Sequence, residues 1–457
     1  MTTAASINAS PSVTAGLDVR TVSTVTATAL AVADMIGIGV FTSLGFQVAS
    51  IPSAFAVLML WIVGGIAALC GALAYAELAA AFPRSGGEYN FLSRIYHPAI
   101  GFLAGWISAT LGFSAPIALA AMAFGEYFKG LVPGAPPLLL GLVVVWVVTF
   151  VHLKGIKHSS KFQNISTIVK GALILALIVA GLAYGVPEPI SFAPTASDLG
   201  YIASAPFAVS LVFVMYAYSG WNAATYIAGE IREPAVSLPR SIIAATLIVI
   251  TSYVALNAVF LYTTPISAMA GQLDVALIAG RHIFGNVGGT IVGGLICIGL
   301  ISSISAMTWI GPRVTMAMGK DHALFRKLSV TTKDGVPTYA ILLQLVIVSL
   351  LLMTQSFEAV LDTIQFSLTL CSFLAVVGVI VLRWKEPGLP RPYRTWGYPI
   401  TPLVFLGVTA FMMYHLVVER PLQSLAGLAI MLTGLAVYAY SQRRPMLGQD
   451  LNRTQHG

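Results

Sequence analysis

Apolar stretches long enough to cross a lipid bilayer follow one another along almost the whole chain, and this constrains the fold more than any other feature. A helical span needs roughly 20 predominantly apolar residues. Runs of that kind, separated by polar or Pro/Gly punctuation, fall at 22–47, 54–81, 99–125, 137–153, 162–186, 203–229, 241–263, 288–318, 337–354, 358–382, 399–418 and 422–440. Of 457 residues, 57% are hydrophobic and 9% are charged, and the mean hydropathy is +0.87. Soluble domains carry about 25% charged residues, so these are too few to cover a water-facing surface. A soluble enzyme, a disordered protein and a soluble repeat protein are excluded. The sequence predicts an all-α integral membrane protein with twelve transmembrane helices.

The net charge of +7 would also suit nucleic-acid binding, so the placement of the charges decides. With the N-terminus in the cytoplasm, only Lys129, Arg281 and Arg420 of the 24 Lys and Arg residues fall outside, and Lys170 lies within a run. Every other one, from Arg20 to Arg453, falls inside. That is the positive-inside pattern. It predicts a multi-pass protein of the cell (inner) membrane, with both termini cytoplasmic and no nucleic-acid partner. The stretch 1–19 lacks a basic segment ahead of a short apolar core, so it reads as a cytoplasmic tail and not a cleavable signal. Cys70, Cys297 and Cys371 all lie in apolar runs and spell no disulfide framework.

The runs also divide. The first is interrupted by Gly37-Ile38-Gly39 and the sixth by Ser219-Gly220, five runs later. Five is odd, so the two interrupted helices point in opposite directions, as an inverted repeat requires. Paired interruptions in corresponding helices of two halves point to a transporter's binding site. The expected organisation is a tail at 1–19, a first repeat at 20–186, a second at 203–383, two extra helices at 399–440 and a tail at 441–457. Gly101/Gly105 and Gly289/Gly293, at GxxxG spacing, read as packing positions.

Unwound backbone in mid-membrane must line a cavity or bind something. Past the first break, the outer half-helix presents free N–H groups near Ile38, Gly39 and Val40, which with the positive dipole end suit a carboxylate. The outer half of the sixth helix ends near Tyr216 and Ala217. Its carbonyls, with that of Ile36, suit an ammonium group. Together these make a site for the backbone of a free α-amino acid. Ser219, Gly220 and Asn222 complete the second break; Asn222 caps the next half-helix, reads substrate, or does both. Tyr216, Tyr218 and Trp221 are gate candidates, with packing as the alternative.

Ionisable residues inside a membrane are functional candidates because they are costly. Lys170 either snorkels to the surface, stands as a fixed cation, or cycles protons. Asp34 either pairs with Lys170, caps a polar network, or stays protonated. Glu77 reads as a structural tie, and Ser302, Ser303 and Ser305 as weak candidates. Catalytic and metal-ligating constellations are absent: the seven histidines form no HExxH or similar pair, and no nucleophile elbow or phosphate loop appears at a sensible depth. The Ser85 in Pro83–Tyr89 has no histidine partner, and this segment reads as a turn docking against the bundle. No cofactor, metal or catalytic residue is expected.

Several separate segments resemble one family. Ile36-Gly37-Ile38-Gly39-Val40-Phe41 is similar to the first-helix break of the amino acid–polyamine–organocation permeases. Tyr75-Ala76-Glu77-Leu78 with Phe82–Tyr89 resembles the end of their second helix and the loop after it. Tyr216–Asn222, Glu230–Pro234 and Leu238-Pro239-Arg240 resemble their sixth-helix signature, and Arg391–Arg394 with Trp396–Pro399 the segment before helix 11 in the L-type branch. The resemblance spans about 20–440. It implies a LeuT-type 5+5 inverted repeat with broken helices 1 and 6, followed by helices 11 and 12. It further implies a gate at Tyr216, Lys170 standing where sodium sits in sodium-coupled relatives, and a conformational role for Asn222. Ile38, Tyr216 and Asp34 depart from the commoner residues at their positions. The loop from Lys129 to Pro137 has no Cys, so no disulfide-linked heavy subunit is expected.

The reading is a sodium-independent permease for L-amino acids, neutral ones favoured, working by alternating access as an exchanger or a proton-coupled symporter. The alternatives are a cationic amino acid or polyamine antiporter of the same fold, and a membrane amino acid sensor.

Overall fold

The computed structural model describes residues 21–442. The tail expected at 1–19, Arg20 and residues 443–457 with Arg443, Arg444 and Arg453 lie outside the described residues. The helices run in order as α1 (Thr24–Met35), α2 (Gly39–Ser50), α3 (Ala54–Ala81), α4 (Glu88–Ile95), α5 (Pro98–Ile107) and α6 (Ser114–Leu131). They continue as α7 (Pro137–Leu153), α8 (Ile156–Tyr184), α9 (Ala196–Ile202), α10 (Ala205–Ala217), α11 (Ala223–Tyr226) and α12 (Pro234–Thr263). The last are α13 (Ile266–Met269), α14 (Val275–Asp321), α15 (Thr338–Met353), α16 (Phe357–Lys385), α17 (Ile400–Glu419) and α18 (Pro421–Gln442).

Among the described residues, eight helical segments are long and apolar enough to cross a membrane, α1 and α2 counting as one. The pair α9 and α10, bent by 65°, makes a further candidate, and three shorter apolar helices complete the set. Their outward faces are greasy: Leu139, Val143, Trp146, Val147 and Phe150 stand exposed along α7. These recur at i, i+4, i+7, i+8 and i+11, a single helical stripe, and suit contact with lipid.

The first run breaks where its glycines predict. Ser23 caps α1 by accepting from the Thr26 N–H at 3.2 Å, and α1 stops at Met35, three residues before α2 starts. The sixth run breaks harder than its sequence suggests. Helix α10 ends at Ala217, and only one turn of α11 and a 3₁₀ turn at Ala228–Glu230 follow, where a half-helix running from the Ser219-Gly220 break to 229 was expected. Gly220 sits at φ +96°, a conformation that side chains resist.

The two breaks touch. A Cβ at Gly39 would lie 2.7 Å from the Cα of Ala217, and one at Gly220 would lie 2.6 Å from Oδ2 of Asp34. Only glycine permits both approaches. A parallel backbone bridge joins Val22 to Ile231, with the Val22 N–H donating to the Glu230 carbonyl at 2.9 Å, so the start of α1 is also tied to the end of the second break.

Other boundaries moved as well. Helix α12 begins seven residues ahead of the expected 241, at Pro234, whose missing N–H is harmless in a first turn. Helix α14 begins at Val275 and runs through a kink at Gly285 (φ 73°). The segment expected to be a plain turn, Pro83–Tyr89, leads directly into α4, and Gly101 and Gly105 of α5 let this helix pack closely: a Cβ at Gly105 would fall 2.8 Å from the Tyr89 ring. Glu77 is the structural tie its position suggests. Its buried carboxylate meets Arg383 at 2.7 Å and Arg391 at 3.3 Å, and accepts the Thr395 N–H at 2.7 Å, joining α3 to α16 and the segment before α17.

Candidate functional site

The first break presents donors, as its chain direction requires. Its backbone supplies one internal bond, Gly37 N–H to the Met35 carbonyl at 2.7 Å. Among the described residues, no acceptor meets the N–H groups of Ile38, Gly39 and Val40. They sit at the start of α2, where the helix dipole favours negative charge.

The acceptors differ from expectation. Lys170 is 1% exposed, so it does not snorkel. Its ammonium group donates to the Ala33 carbonyl at 2.8 Å, to the Ile36 carbonyl, and to Ser303 Oγ at 2.8 Å. Ser303 Oγ in turn donates to Ile36 at 2.8 Å. The Ile36 carbonyl, expected to hold a substrate ammonium, therefore already accepts two protein donors, which is the capacity of its lone pairs. The Tyr216 carbonyl is likewise filled by the Ser219 N–H at 3.0 Å and the Ser219 hydroxyl at 2.6 Å. The Met35 carbonyl takes the Tyr253 hydroxyl at 2.6 Å besides Gly37. Of the three carbonyls expected to take the ammonium, that of Ala217 stays open among the described residues.

Asp34 makes no ion pair with Lys170 among the described residues. It is 5% exposed, and its Oδ1 is buried without a hydrogen-bond partner. The carboxylate lines two adjoining spaces. One, of about 10 Å³, lies between the breaks against Gly37, Ile38, Gly39, Tyr216 and Ala217. That is roughly room for one water. The other, of about 90 Å³, opens toward Glu88, Ser219, Gly220, Trp221 and Asn222. A third cavity of about 200 Å³, reaching Thr42, Tyr127 and Asp274, lies toward α2 and shares no lining residue with these two.

Asn222 does not cap the half-helix that follows it. Its amide donates to Glu88 Oε1 at 2.6 Å and to the Tyr226 hydroxyl at 3.1 Å. Glu88 also accepts from Tyr75 at 2.8 Å and from Tyr226. It is a buried carboxylate joining α4, α3 and α11. Nearby, Arg84 and the Tyr89 hydroxyl both reach Asp321 at 2.5 Å. Burial, with the Asp321 carboxylate beside it, holds the Tyr89 phenol well above its usual range.

Of the gate candidates, Tyr216 is buried on the small space between the breaks. Tyr218 turns away, donating to the Trp61 carbonyl at 3.0 Å, so it packs. Trp221 lies edge-on to Tyr75 at 4.6 Å and on the wall of the 90 Å³ cavity. Of the serines, Ser303 belongs to the site, Ser305 pairs with His152 Nε2 at 2.9 Å, and Ser302 Oγ is buried without a partner. Sequence reasoning missed Glu88 and Tyr253. For Glu88 the available signal was a carboxylate following a span with no basic neighbour beyond Arg84.

A family model for amino acid permeases matches residues 22–437. The chain is similar to the human large neutral amino acids transporter small subunit 2, 28% identical over 93% of this chain and 82% of the relative. It is also similar to a serine/threonine exchanger of Bacillus subtilis (strain 168), 26% identical over 91% of this chain and 95% of the relative. The mouse b(0,+)-type amino acid transporter 1 is 25% identical over 89% and 85%.

Proposed function

The chain belongs to the amino acid permease family, whose members are transporters and not enzymes, and from that premise we propose a sodium-independent carrier of neutral L-amino acids. The observation that carries the reading is the first break, where the N–H groups of Ile38, Gly39 and Val40 face no protein acceptor beside an acidic, partnerless side chain. Those donors take the substrate carboxylate. Counting the bent α9/α10 pair and the three shorter apolar helices with the eight spans gives twelve, and the paired breaks relate helices 1–5 to 6–10 as an inverted repeat, with both termini on the cytoplasmic side of an inner membrane.

Sodium independence rests on Lys170. Its ammonium fills a cage of three oxygens, from Ala33, Ile36 and Ser303, where a cation would otherwise be needed. Substrate moves by alternating access: the 90 Å³ cavity is lined by Asp34, Gly220 and Asn222 at the breaks, the 200 Å³ cavity by Thr42, Tyr127 and Asp274, with no residue shared, and the breaks meet in a closed contact. That contact must part to admit an amino acid, and Tyr216 covers it as the gate. Charge neutrality favours neutral side chains, since Lys170 balances Asp34 and a zwitterion adds nothing. The rival, a carrier of cationic amino acids or polyamines, draws support from Asp34 and Glu88 lining one cavity.

The test is uptake of labelled L-amino acids into proteoliposomes in sodium-free buffer, with and without internal amino acids. Uptake that needs internal substrate makes the protein an exchanger. Uptake driven only by an inward proton gradient makes it a symporter. Binding without flux would replace transport with sensing, and preference for putrescine or lysine would favour the rival.

A further inference from the structure

We propose that Asp34 is the anchor for the substrate's ammonium group, which it holds through Oδ1 together with the Ala217 carbonyl. This deepens the amino acid reading above and rests on it. The carbonyls that an interrupted helix would ordinarily offer an ammonium are spent. Ile36 is taken by Lys170 and Ser303, Met35 by Tyr253 and Gly37, and Tyr216 by both groups of Ser219. The Ile38 carbonyl is spent too, accepting the Phe41 N–H at 2.9 Å and the Thr42 hydroxyl at 3.1 Å.

Against that saturation, Asp34 stands out. Among the described side chains lining the space between the breaks, it alone carries a buried polar atom with no hydrogen-bond partner. Leaving such an atom unmet is costly, more so for a charged group. Its position is built: a Cβ at Gly220, which sits at φ +96°, would lie 2.6 Å from Oδ2, so the carboxylate packs where only a glycine leaves room for it. The gap is lined by Ala217, whose carbonyl is open among the described residues, and by Gly39, whose N–H meets no acceptor among them. A zwitterion set there places its ammonium between Asp34 and Ala217 and its carboxylate on α2. Lys170, bonded to the carbonyl of the preceding residue, Ala33, supplies the compensating charge.

The consequence is a recognition rule. The site favours the ammonium over an otherwise identical molecule that carries a hydroxyl in its place, because the hydroxyl brings one neutral donor and no positive charge to set between Asp34 and the Ala217 carbonyl. Purified full-length protein and its Asp34→Asn variant are titrated by calorimetry with L-leucine and L-2-hydroxyisocaproate, L-alanine and L-lactate, and L-phenylalanine and L-3-phenyllactate. Losing one charged hydrogen bond should weaken amino acid binding roughly 10- to 100-fold. Hydroxy-acid binding should stay within about 3-fold, so that the preference for the amino acid collapses. Should Asp34→Asn fail to fold, Asp34→Ser carries the same comparison. An undiminished preference in a folded variant overturns the assignment, as does a variant that loses only the pH dependence of uptake. Wild-type protein that binds none of the amino acids, nor any other of the common twenty, brings down the amino acid reading itself, which is a different result.

Discussion

The ammonium group of Lys170 is bonded to the carbonyl of Ile36, so a cation on α8 holds the end of the first half-helix in place. Lys170→Ala leaves the Ala33 and Ile36 carbonyls without that donor in a site closed to water. Each buried group so deprived costs about 1–3 kcal/mol. Part of that cost is relaxed by Ser303, which still reaches Ile36. We expect uptake to fall at least roughly 10-fold while the protein still reaches the membrane. Proteoliposome flux at the wild-type rate would remove Lys170 from the working site.

Asn222 and Glu88 form the other joint. Their 2.6 Å bond links the second break to α4, whose neighbours Arg84 and Tyr89 clasp Asp321 at the end of α14. In the alternating access proposed above, parting these elements would break this bond, while the substrate backbone would be held at the first break. Asn222→Ala and Glu88→Gln should therefore slow turnover more than they weaken binding. A double-mutant cycle should return a coupling on the order of 0.5–3 kcal/mol. Independent effects of the two changes would mean the contact does no more than fill space.

Much of this was legible in the sequence, and what was not has a common physical reason. The first break could be read because glycines flanking one residue leave a mark that any helix pattern betrays. Lys170 could be read because a cation amid apolar residues is conspicuous. The saturation of the Ile36 and Tyr216 carbonyls could not, because every residue carries the same carbonyl and its donors come from residues as far off as Ser303. Glu88 hid for a similar reason. Its burial is created by Tyr75, Asn222 and Tyr226, the last two more than a hundred positions away, while its own neighbourhood, Arg84-Ser85-Gly86-Gly87, reads as a polar turn.

The contact between the breaks leaves no room for a side chain. Gly39→Ala drives a methyl group to 2.7 Å from the Cα of Ala217, which is backbone and cannot swing aside. Overpacking of this kind costs typically about 1–3 kcal/mol. Here it can be relieved by prising the breaks apart, so the melting temperature should fall modestly and the distribution of conformations should shift. Gly39→Leu fills the gap and should abolish binding. Spectroscopic distances between labels on α2 and α10 would lengthen in Gly39→Ala; unchanged distances with normal uptake would contradict the close approach.

Glu77 separates stability from transport. Its carboxylate is 1% exposed and joins Arg383, Arg391 and Thr395, and none of these residues lines a cavity between the breaks. Taking away one partner of a buried ion pair strands the rest, at about 3–5 kcal/mol. Both arginines would lose their counter-charge here, although Arg383 keeps the face of the Tyr398 ring 3.7 Å from its guanidinium carbon and Arg391 keeps the Leu382, Glu386 and Leu389 carbonyls. Glu77→Gln, which retains an acceptor for Thr395 but not the charge, should cost less than Glu77→Ala, and both should lower the melting temperature. Because the tie joins α3 to α16 away from Asp34 and Lys170, the protein that remains folded should bind amino acid with its affinity unchanged. A loss of affinity that exceeds the loss of folded protein would place Glu77 in the transport pathway instead.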